Sequence, residues 1–365
     1  MTLTTERDVI ETLAGKGSVT LEQLYQACEE AGVIARNEGE AALTSHPSDR
    51  VWRRRVRGAL QSLKRSGRAQ RVGDATWVID GTPEQPRRML LVIAGDPSHL
   101  ELVLADAEQL LNETDEPVDL ILADSPWGLG IDLAGDQNTQ TRIYERDASR
   151  VVGGYVDVEP TEFAELCERW MSAAVRVLRP GAYLCAVTGP AQAARAQITA
   201  ESLGLNFVNQ VVIRRPFALR TTRQFSHAHT VATILCVGDT TSAGRFFATA
   251  PGLPKAESGG DYPLDWWQVP KYERRNLAKY PTMMSPVATR HLVQSLTTGP
   301  ENGHEPWSSL VVDPFTGGGA TAVACWETKR RFRGGDINPR ALAFTAARLL
   351  DEHVWPNLTA PPLFS

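Results

Sequence analysis

The sequence predicts an α/β protein: a mostly parallel sheet of Rossmann-like type, covered by helices, with a small helical domain ahead of it. Three observations carry that expectation. From Met89 onward, short apolar runs alternate with helical patterns, as expected of strands covered on both faces. One such run ends in an acid, meets three glycines and passes straight into a helix-compatible stretch, SSLVVDPFTGGGATAVACWE. Upstream of Met89 lies a segment with helical spacing and a field of arginines. With 365 residues, 42% of them hydrophobic, the chain can bury a core large enough for one big domain and a small companion.

Taken in order, residues 5–15 read as a short helix with Val9, Ile10 and Leu13 on one side. A second helix opens at Thr20, where Gln23 stands three residues on as a capping-box partner. Leu21, Leu24, Tyr25 and Cys28 supply its inward face, and Gly32 ends it. A third helix covers 49–66, with Trp52, Val56, Leu60 and Leu63 spaced by 4, 4 and 3. Residues 67–79 then read as a hairpin turning at Gly73–Asp74. Three short helices and a hairpin outline a winged helix-turn-helix over residues 1–80.

Nine basic residues lie between Arg50 and Arg71 with no acid among them. Arg53, Arg54, Arg57, Lys64, Arg65, Arg68 and Arg71 are the candidate contacts to DNA phosphates. A solvated helix face, or a protein-binding winged domain, is the competing reading. The net charge of -5 means that any basic surface is local. Residues 81–88, polar and holding two prolines, read as a linker.

In the larger domain, strands are expected at 89–94, 102–105, 118–123, 182–187, 207–213, 230–237, 309–312 and 332–336. Helices are expected at about 160–178, 191–203, 286–297, 319–329 and 339–352. Ligands of such a domain gather at the carboxyl ends of strands. At one of those ends, Asp313 precedes Gly317, Gly318 and Gly319, which permit a tight turn and close approach of backbone to ligand. Asp336, 23 residues on, stands where an acid accepts hydrogen bonds from ribose hydroxyls. A nucleoside-containing cofactor and a merely tight strand–helix turn both fit this spacing. At another strand end, Asp124, Ser125, Pro126 and Trp127 set a carboxylate, backbone carbonyls and a flat ring side by side. Those are the parts that hold a planar amine.

Five scattered cysteines, without a CxxC pair or a Cys/His cluster, predict small buried side chains, no disulfides and no metal site. The opening MTLTTERDVIETL has no basic-then-apolar leader, and no run of 18 apolar residues occurs, so a soluble, cytoplasmic protein is expected.

Together, the two loops resemble the signatures of amino-group DNA methyltransferases, written DPFxGxG for the cofactor loop and (D/N/S)PP(Y/F/W) for the catalytic loop. DPFTGGG at 313–319 matches the first throughout. ADSPWG at 123–128 matches the second with Ser125 in place of the first proline. Serine keeps the backbone carbonyl that the proline contributes but lacks its fixed φ. The catalytic loop precedes the cofactor loop, which resembles the circularly permuted beta class. Residues 170–187 resemble that group's helix, RVLKPGG turn and strand. Residues 280–296 resemble its HPTQKP segment and helix, with Tyr280 for the histidine and Met284–Ser285 departing from the lysine. Residues 102–111 resemble the strand ending in an adenine-binding acid, here Asp106, and 332–349 the ribose-binding strand and its helix. The likeness spans roughly residues 90–350.

The resemblance implies an S-adenosylmethionine-dependent methyltransferase domain over 89–355, with target-recognition insertions near 131–158 and 214–279. Asp106 and Asp336 would hold the adenosyl end. Asp313, Pro314, Phe315, Thr316, Gly317 and Gly319 would shape the pocket, with Phe315 packing beside it, and Thr282 and Ser285 would line the methionyl side. Asp124 and the carbonyl of Ser125 or Pro126 would accept the hydrogens of a flipped base stacked on Trp127. Aspartate first and tryptophan last lean toward adenine N6. Cytosine N4 is the alternative, and a non-catalytic DNA-binding protein that keeps the fold is another. Double-stranded DNA is the implied partner, with Arg214, Arg215, Arg220 and Arg223 as further phosphate contacts and Trp266 and Trp267 as either wedges or packing. A homodimer and a restriction or phage-defence partner stay open.

Overall fold

A computed structural model describes residues 10, 13, 18–30, 56, 57, 60, 69–73, 76–79, 87–90, 99–128, 157, 158, 160–215, 228–238, 255, 263–269 and 283–349. The chain divides into two compact units, Met1–Arg87 and Arg88–Ser365.

The first unit holds β1 (Ser18–Thr20), α1 (Leu21–Glu30), β2 (Ala69–Gly73) and β3 (Thr76–Ile79). Its strands form an antiparallel sheet in the order β1-β3-β2. Helix α1 starts where the capping box places it: the Thr20 amide donates to Gln23 Oε1 at 2.7 Å, and the Gln23 amide donates back to Thr20 Oγ1 at 3.3 Å. Strand β1 is an addition to the expected elements, because three residues with one buried side chain, Val19, leave little periodicity to read. Ile10, Leu24, Tyr25, Cys28, Val56, Leu60, Trp77 and Ile79 share one core. The helices expected over 5–15 and 49–66 fall mostly outside the described residues.

The second unit is built on a nine-stranded sheet. In chain order its elements are β4 (Arg87–Leu90), β5 (Leu100–Leu104), α2 (Ala107–Asn112), β6 (Val118–Ala123), α3 (Phe163–Val177), β7 (Leu178–Thr188) and α4 (Ala193–Ser202). There follow β8 (Asn206–Arg214), β9 (His229–Cys236), β10 (Trp266–Gln268), α5 (Pro286–Leu296), β11 (Leu310–Asp313), α6 (Ala320–Glu327), β12 (Arg331–Asp336) and α7 (Pro339–Leu349). The strand order is β10-β8-β9-β7-β6-β11-β12-β5-β4. Strands β5, β12, β11, β6 and β7 pair in parallel, β9 runs antiparallel between β7 and β8, and β10 lies parallel to β8.

The apolar run of β6 shows why the sheet is covered twice. Leu120 and Leu122 enter one core with α5, α6 and α7, while Ile121 and Ala123 enter the other with α2, α3 and α4. Each fully buried leucine contributes roughly 2 kcal/mol of transfer free energy, so a polar substitution here on either face is costly. The one acid in β6, Asp119, accepts from Arg179 Nε at 2.6 Å and from the Leu310 amide at 2.8 Å, tying β6 to the starts of both neighbours.

Three boundaries depart from expectation. Strand β4 begins at Arg87, inside the segment read as linker. Helix α2 stands where no helix is expected: it is a single short segment whose N-cap, Asp106, accepts from the Gln109 amide at 2.8 Å. Strand β10 is likewise additional, being three residues long with only Trp267 buried. All five cysteines are buried, and none is joined in a disulfide.

Connectivity leaves one natural crevice. The chain leaves β11 through α6 to β12 on one side, whereas it leaves β6 through α3 to β7 on the other. The carboxyl ends of β6 and β11 are therefore a topological switch point, where adjacent loops part and a ligand finds room.

Candidate active site

Both motif loops open onto that crevice. Register pairs Val311 with Leu120 and Val312 with Ile121, which carries Asp313 opposite Leu122 and leaves Asp124 two residues further along the neighbouring strand.

The loop after β6 is held from several sides. Trp127 Nε1 donates to Asp124 Oδ1 at 2.9 Å, so the ring orients the carboxylate. The Gly128 amide donates to Asp157 Oδ1 at 3.0 Å, and Asp157 also accepts from the Val158 amide at 2.8 Å. Gly128 has φ +64°, and a Cβ there would lie 2.9 Å from Phe163 Cβ, so glycine alone suits the loop exit. The Trp127 ring lies against Gly189, just past β7, where a Cβ would come 3.1 Å from Cε3. Arg215 completes the surround, its Cζ 5.7 Å from the Trp127 ring centroid. Ser125 is 2% exposed, while Asp124, Pro126 and Trp127 are half-buried.

The loop after β11 is held by its own backbone and by α7. Asp313 is 2% exposed and accepts from the Phe315 amide at 3.0 Å. Thr316 Oγ1 donates to the Asp313 carbonyl at 3.1 Å, and the Thr316 amide donates to the Gly335 carbonyl at 2.9 Å. Gly317 and Gly319 are left-handed at φ 48° and 73°, and Gly319 starts α6. The Gly317 amide donates to Asp336 Oδ2 at 2.9 Å, and the Asn338 amide to Asp336 Oδ1 at 2.8 Å. From α7, Thr345 Oγ1 donates to the Gly317 carbonyl at 3.0 Å and buried Arg348 Nη1 to the Gly318 carbonyl at 2.9 Å.

Burial makes three carboxyls at one sheet end resist ionisation, and for Asp124 and Asp313 a neighbouring acid adds to it. Burial pushes Asp124 up to about 7, helped by the nearby Asp313 charge and opposed by the Trp127 N–H and the Arg215 guanidinium. Burial likewise raises Asp313 to about 7, with Asp336 adding to it and hydrogen bonds, including that from the Phe315 amide, opposing. Asp336 rises to about 6 through burial, against the amides of Asn338 and Gly317. A cation entering the crevice would meet carboxyls that ionise readily in its presence.

Other expected site residues divide. Strand β5 pairs Leu104 with Asp336, so Asp106 lies at the same sheet end as Asp336, although its Oδ1 serves as the cap of α2. Pro314 and Thr316 are buried within the loop. Phe315 packs edge-on against Trp170, ring centroids 5.7 Å apart, on the face of the sheet covered by α3. Ser285 caps α5 through the Ala288 amide.

Of the expected DNA contacts, Arg57 donates to the Tyr25 hydroxyl at 3.0 Å, and Arg71 is exposed on β2. Arg214 is exposed and donates to Gln268 Oε1 at 3.0 Å. Arg215 lies beside the 124–128 loop. Trp267 packs, 4% exposed, its N–H on the Leu264 carbonyl and its ring against His291; Trp266 is 48% exposed. Arg53, Arg54, Lys64, Arg65, Arg68, Arg220, Arg223 and Thr282 fall outside the described residues. Sequence reading misses Asp157, Gly189, Thr345 and Arg348 altogether. Only Arg348 leaves a sign, a charge at the spacing of the otherwise small or apolar stripe of Ala341, Leu342, Thr345 and Leu349.

A family model for N6/N4 DNA methylases matches residues 118–347. Among solved structures, PvuII DNA methyltransferase, a cytosine-N4-specific enzyme, is similar at TM-score 0.52 and 15% identity, over 72% of this chain and 89% of that one. A putative DNA modification methylase from Thermus thermophilus, complexed with S-adenosyl-L-methionine, is 18% identical over 71% of this chain and 97% of its own, at TM-score 0.45.

Proposed function

The chain belongs to the N6/N4 DNA methylase family, and from that premise we propose that it transfers a methyl group from S-adenosylmethionine to the N6 amine of an adenine in double-stranded DNA. One observation carries this reading: the DSPW and DPFTGGG loops flank a single switch-point crevice on adjacent strands, with Asp124 and Asp313 within electrostatic reach of each other.

The residues present fit the cofactor. Asp336 spends one lone pair of each oxygen on the Gly317 and Asn338 amides, and a carboxylate's remaining pairs suit ribose hydroxyls. Gly317 and Gly319 bring backbone, without side chain, to the pocket edge. Asp336, Asp106 and the 313–319 loop would hold the adenosyl end, and Ser285 and Thr282 the methionyl side. When bound, the cofactor supplies an electrophilic methyl on a cationic sulfur.

The chain's part is alignment and charge. An exocyclic amine is a weak nucleophile, because its lone pair is delocalised into the base. Asp124 and the carbonyl of Ser125 or Pro126 accept its two hydrogens, which returns electron density to nitrogen and aims it at the methyl. The base, taken out of the duplex, stacks on Trp127. With the cofactor bound, the nitrogen lone pair would take up the methyl as its bond to sulfur breaks, and the proton lost from nitrogen would pass through Asp124 to solvent. Catalysis then rests on orientation and preorganised electrostatics. Aspartate first and tryptophan last in the loop support adenine, and the loop order supports the permuted beta class. The small three-stranded unit and its basic 50–71 segment support a winged domain that grips DNA phosphates.

Tritiated methyl transfer to DNA, followed by nucleoside mass spectrometry, tests activity and product at once. N6-methylated deoxyadenosine is expected. N4-methylated deoxycytidine would move the substrate to cytosine, and no labelled nucleoside would leave a non-catalytic DNA-binding protein. Asp124→Ala should lower transfer at least ~100-fold, in the range of a lost transition-state contact, with cofactor affinity largely kept. Normal turnover by that variant would defeat the assignment.

A further inference from the structure

Arg215 follows β8 in the first described stretch of an arginine-rich segment that sequence reading assigns to DNA phosphates. Its surroundings are those of the catalytic loop. The guanidinium carbon stands 5.7 Å from the Trp127 ring centroid. The backbone pins it: its amide donates to the Ala228 carbonyl at 2.6 Å, and Nη2 reaches the His229 carbonyl at 3.4 Å, both across the β8–β9 ladder. Trp127 in turn donates to Asp124 and rests on Gly189. The indole is thus held by glycine, carboxylate and guanidinium together, and the guanidinium charge favours ionised Asp124.

We propose that Arg215 is a positioning residue of the transfer site, holding the Trp127 ring and the Asp124 carboxylate in their working arrangement, and not a phosphate contact. A guanidinium over an indole face is attracted by the ring quadrupole, and its several donors let it reach the His229 carbonyl at the same time, in a fixed geometry that an ammonium lacks. Among the described residues, the charged groups that act on Asp124 are Asp313 from β11 and Arg215 from the end of β8. Asp313 adds to burial in disfavouring the carboxylate, while the Trp127 N–H and Arg215 favour it, so removing Arg215 takes away one of these two offsets. The amine needs an ionised acceptor, so that loss lowers turnover and moves its pH dependence upward. The inference rests on the proposed methyl transfer, but its structural half does not.

The test compares full-length wild type, Arg215→Met and Arg215→Lys. Arg215→Met is expected to lower kcat roughly 10- to 100-fold, the scale of a misplaced catalytic geometry. The affinity for DNA and the salt dependence of binding should stay unchanged, and the pH midpoint of kcat/KM should move to higher pH. Arg215→Lys should restore the midpoint but only part of kcat. A loss confined to DNA affinity, with the salt slope reduced by about one, would make Arg215 a phosphate contact and overturn the proposal. An unchanged kcat would overturn it too. With 5-fluorotryptophan protein, the Trp127 resonance, identified through Trp127→Phe, should shift in Arg215→Met. If it shifts while wild type methylates no DNA, the contact stands and the reaction assignment fails. If it does not shift, the contact itself is wrong.

Discussion

Burial and the proposed role oppose each other at Asp124. Burial favours the neutral acid, whose pKa rises to about 7, while accepting an amine's hydrogens asks for the charged form. An acid whose folded-state pKa is raised stabilises the fold fully below its unfolded value near 4, and loses that contribution as pH rises through about 7. Asp124→Asn keeps an oxygen for the Trp127 N–H and cannot ionise. It should therefore raise the thermal midpoint at pH 8 by ~2–4 °C, the equivalent of about 1 kcal/mol in a domain of this size, and change it little at pH 5. Calorimetry at the two pH values checks this, and an equal shift at both would remove the carboxylate as its origin. The same variant should lose methyl transfer, as residues strained toward a function often cost stability. Asp124 and Trp127 are legible as a pair in DSPW, since strand-end acids beside an aromatic are a local pattern. The bond between them, and Arg215 over the ring, are not, because neither follows from spacing.

Among the elements, the glycine loop and α7 work as one piece. Thr345 and Arg348 donate to the carbonyls of Gly317 and Gly318, so α7 helps to set the shape of the loop. Gly319 is the most constrained point: φ is 73°, and a Cβ would come 2.6 Å from Thr345 Cγ2. Gly319→Ala combines left-handed strain with that clash, on the order of 1–3 kcal/mol. Cofactor affinity measured by calorimetry should fall roughly tenfold or more while the circular dichroism spectrum is kept. Unchanged affinity would mean that the loop does not set the pocket. The long elements are readable from pattern, as β6 and α6 show with apolar runs of strand and helix type. The short ones, α2 and β10, carry too few residues for any period, and they form because neighbours supply the cap, the ladder or the buried face.

At the scale of the whole molecule, each unit has its own core, one around Leu24, Leu60 and Trp77 and the other on the two faces of the large sheet. A fragment of residues 81–365, which keeps β4 whole, should fold and bind the cofactor with the affinity of the full chain. Its affinity for duplex DNA should drop at least ~10-fold with a shallower salt dependence, since the basic 50–71 segment is gone. Equal DNA binding by fragment and full chain would remove the proposed winged domain from the DNA interface. The site itself depends on this larger order, for the crevice exists only because β6 and β11 are neighbours whose connections part in opposite directions.

Amino-acid order by itself determined which segments are doubly covered strands, where the two loops stand and which residue types they present, because hydrophobic periodicity and turn chemistry act over a few residues. Tertiary structure alone decided that Asp124 and Asp313 share one crevice, that Asp157 holds the Gly128 amide, that Phe315 turns to Trp170, and that Arg215 lies on Trp127. Those neighbours are far apart along the chain. Strand order brings them together, and strand order is set by how all the apolar faces are buried at once.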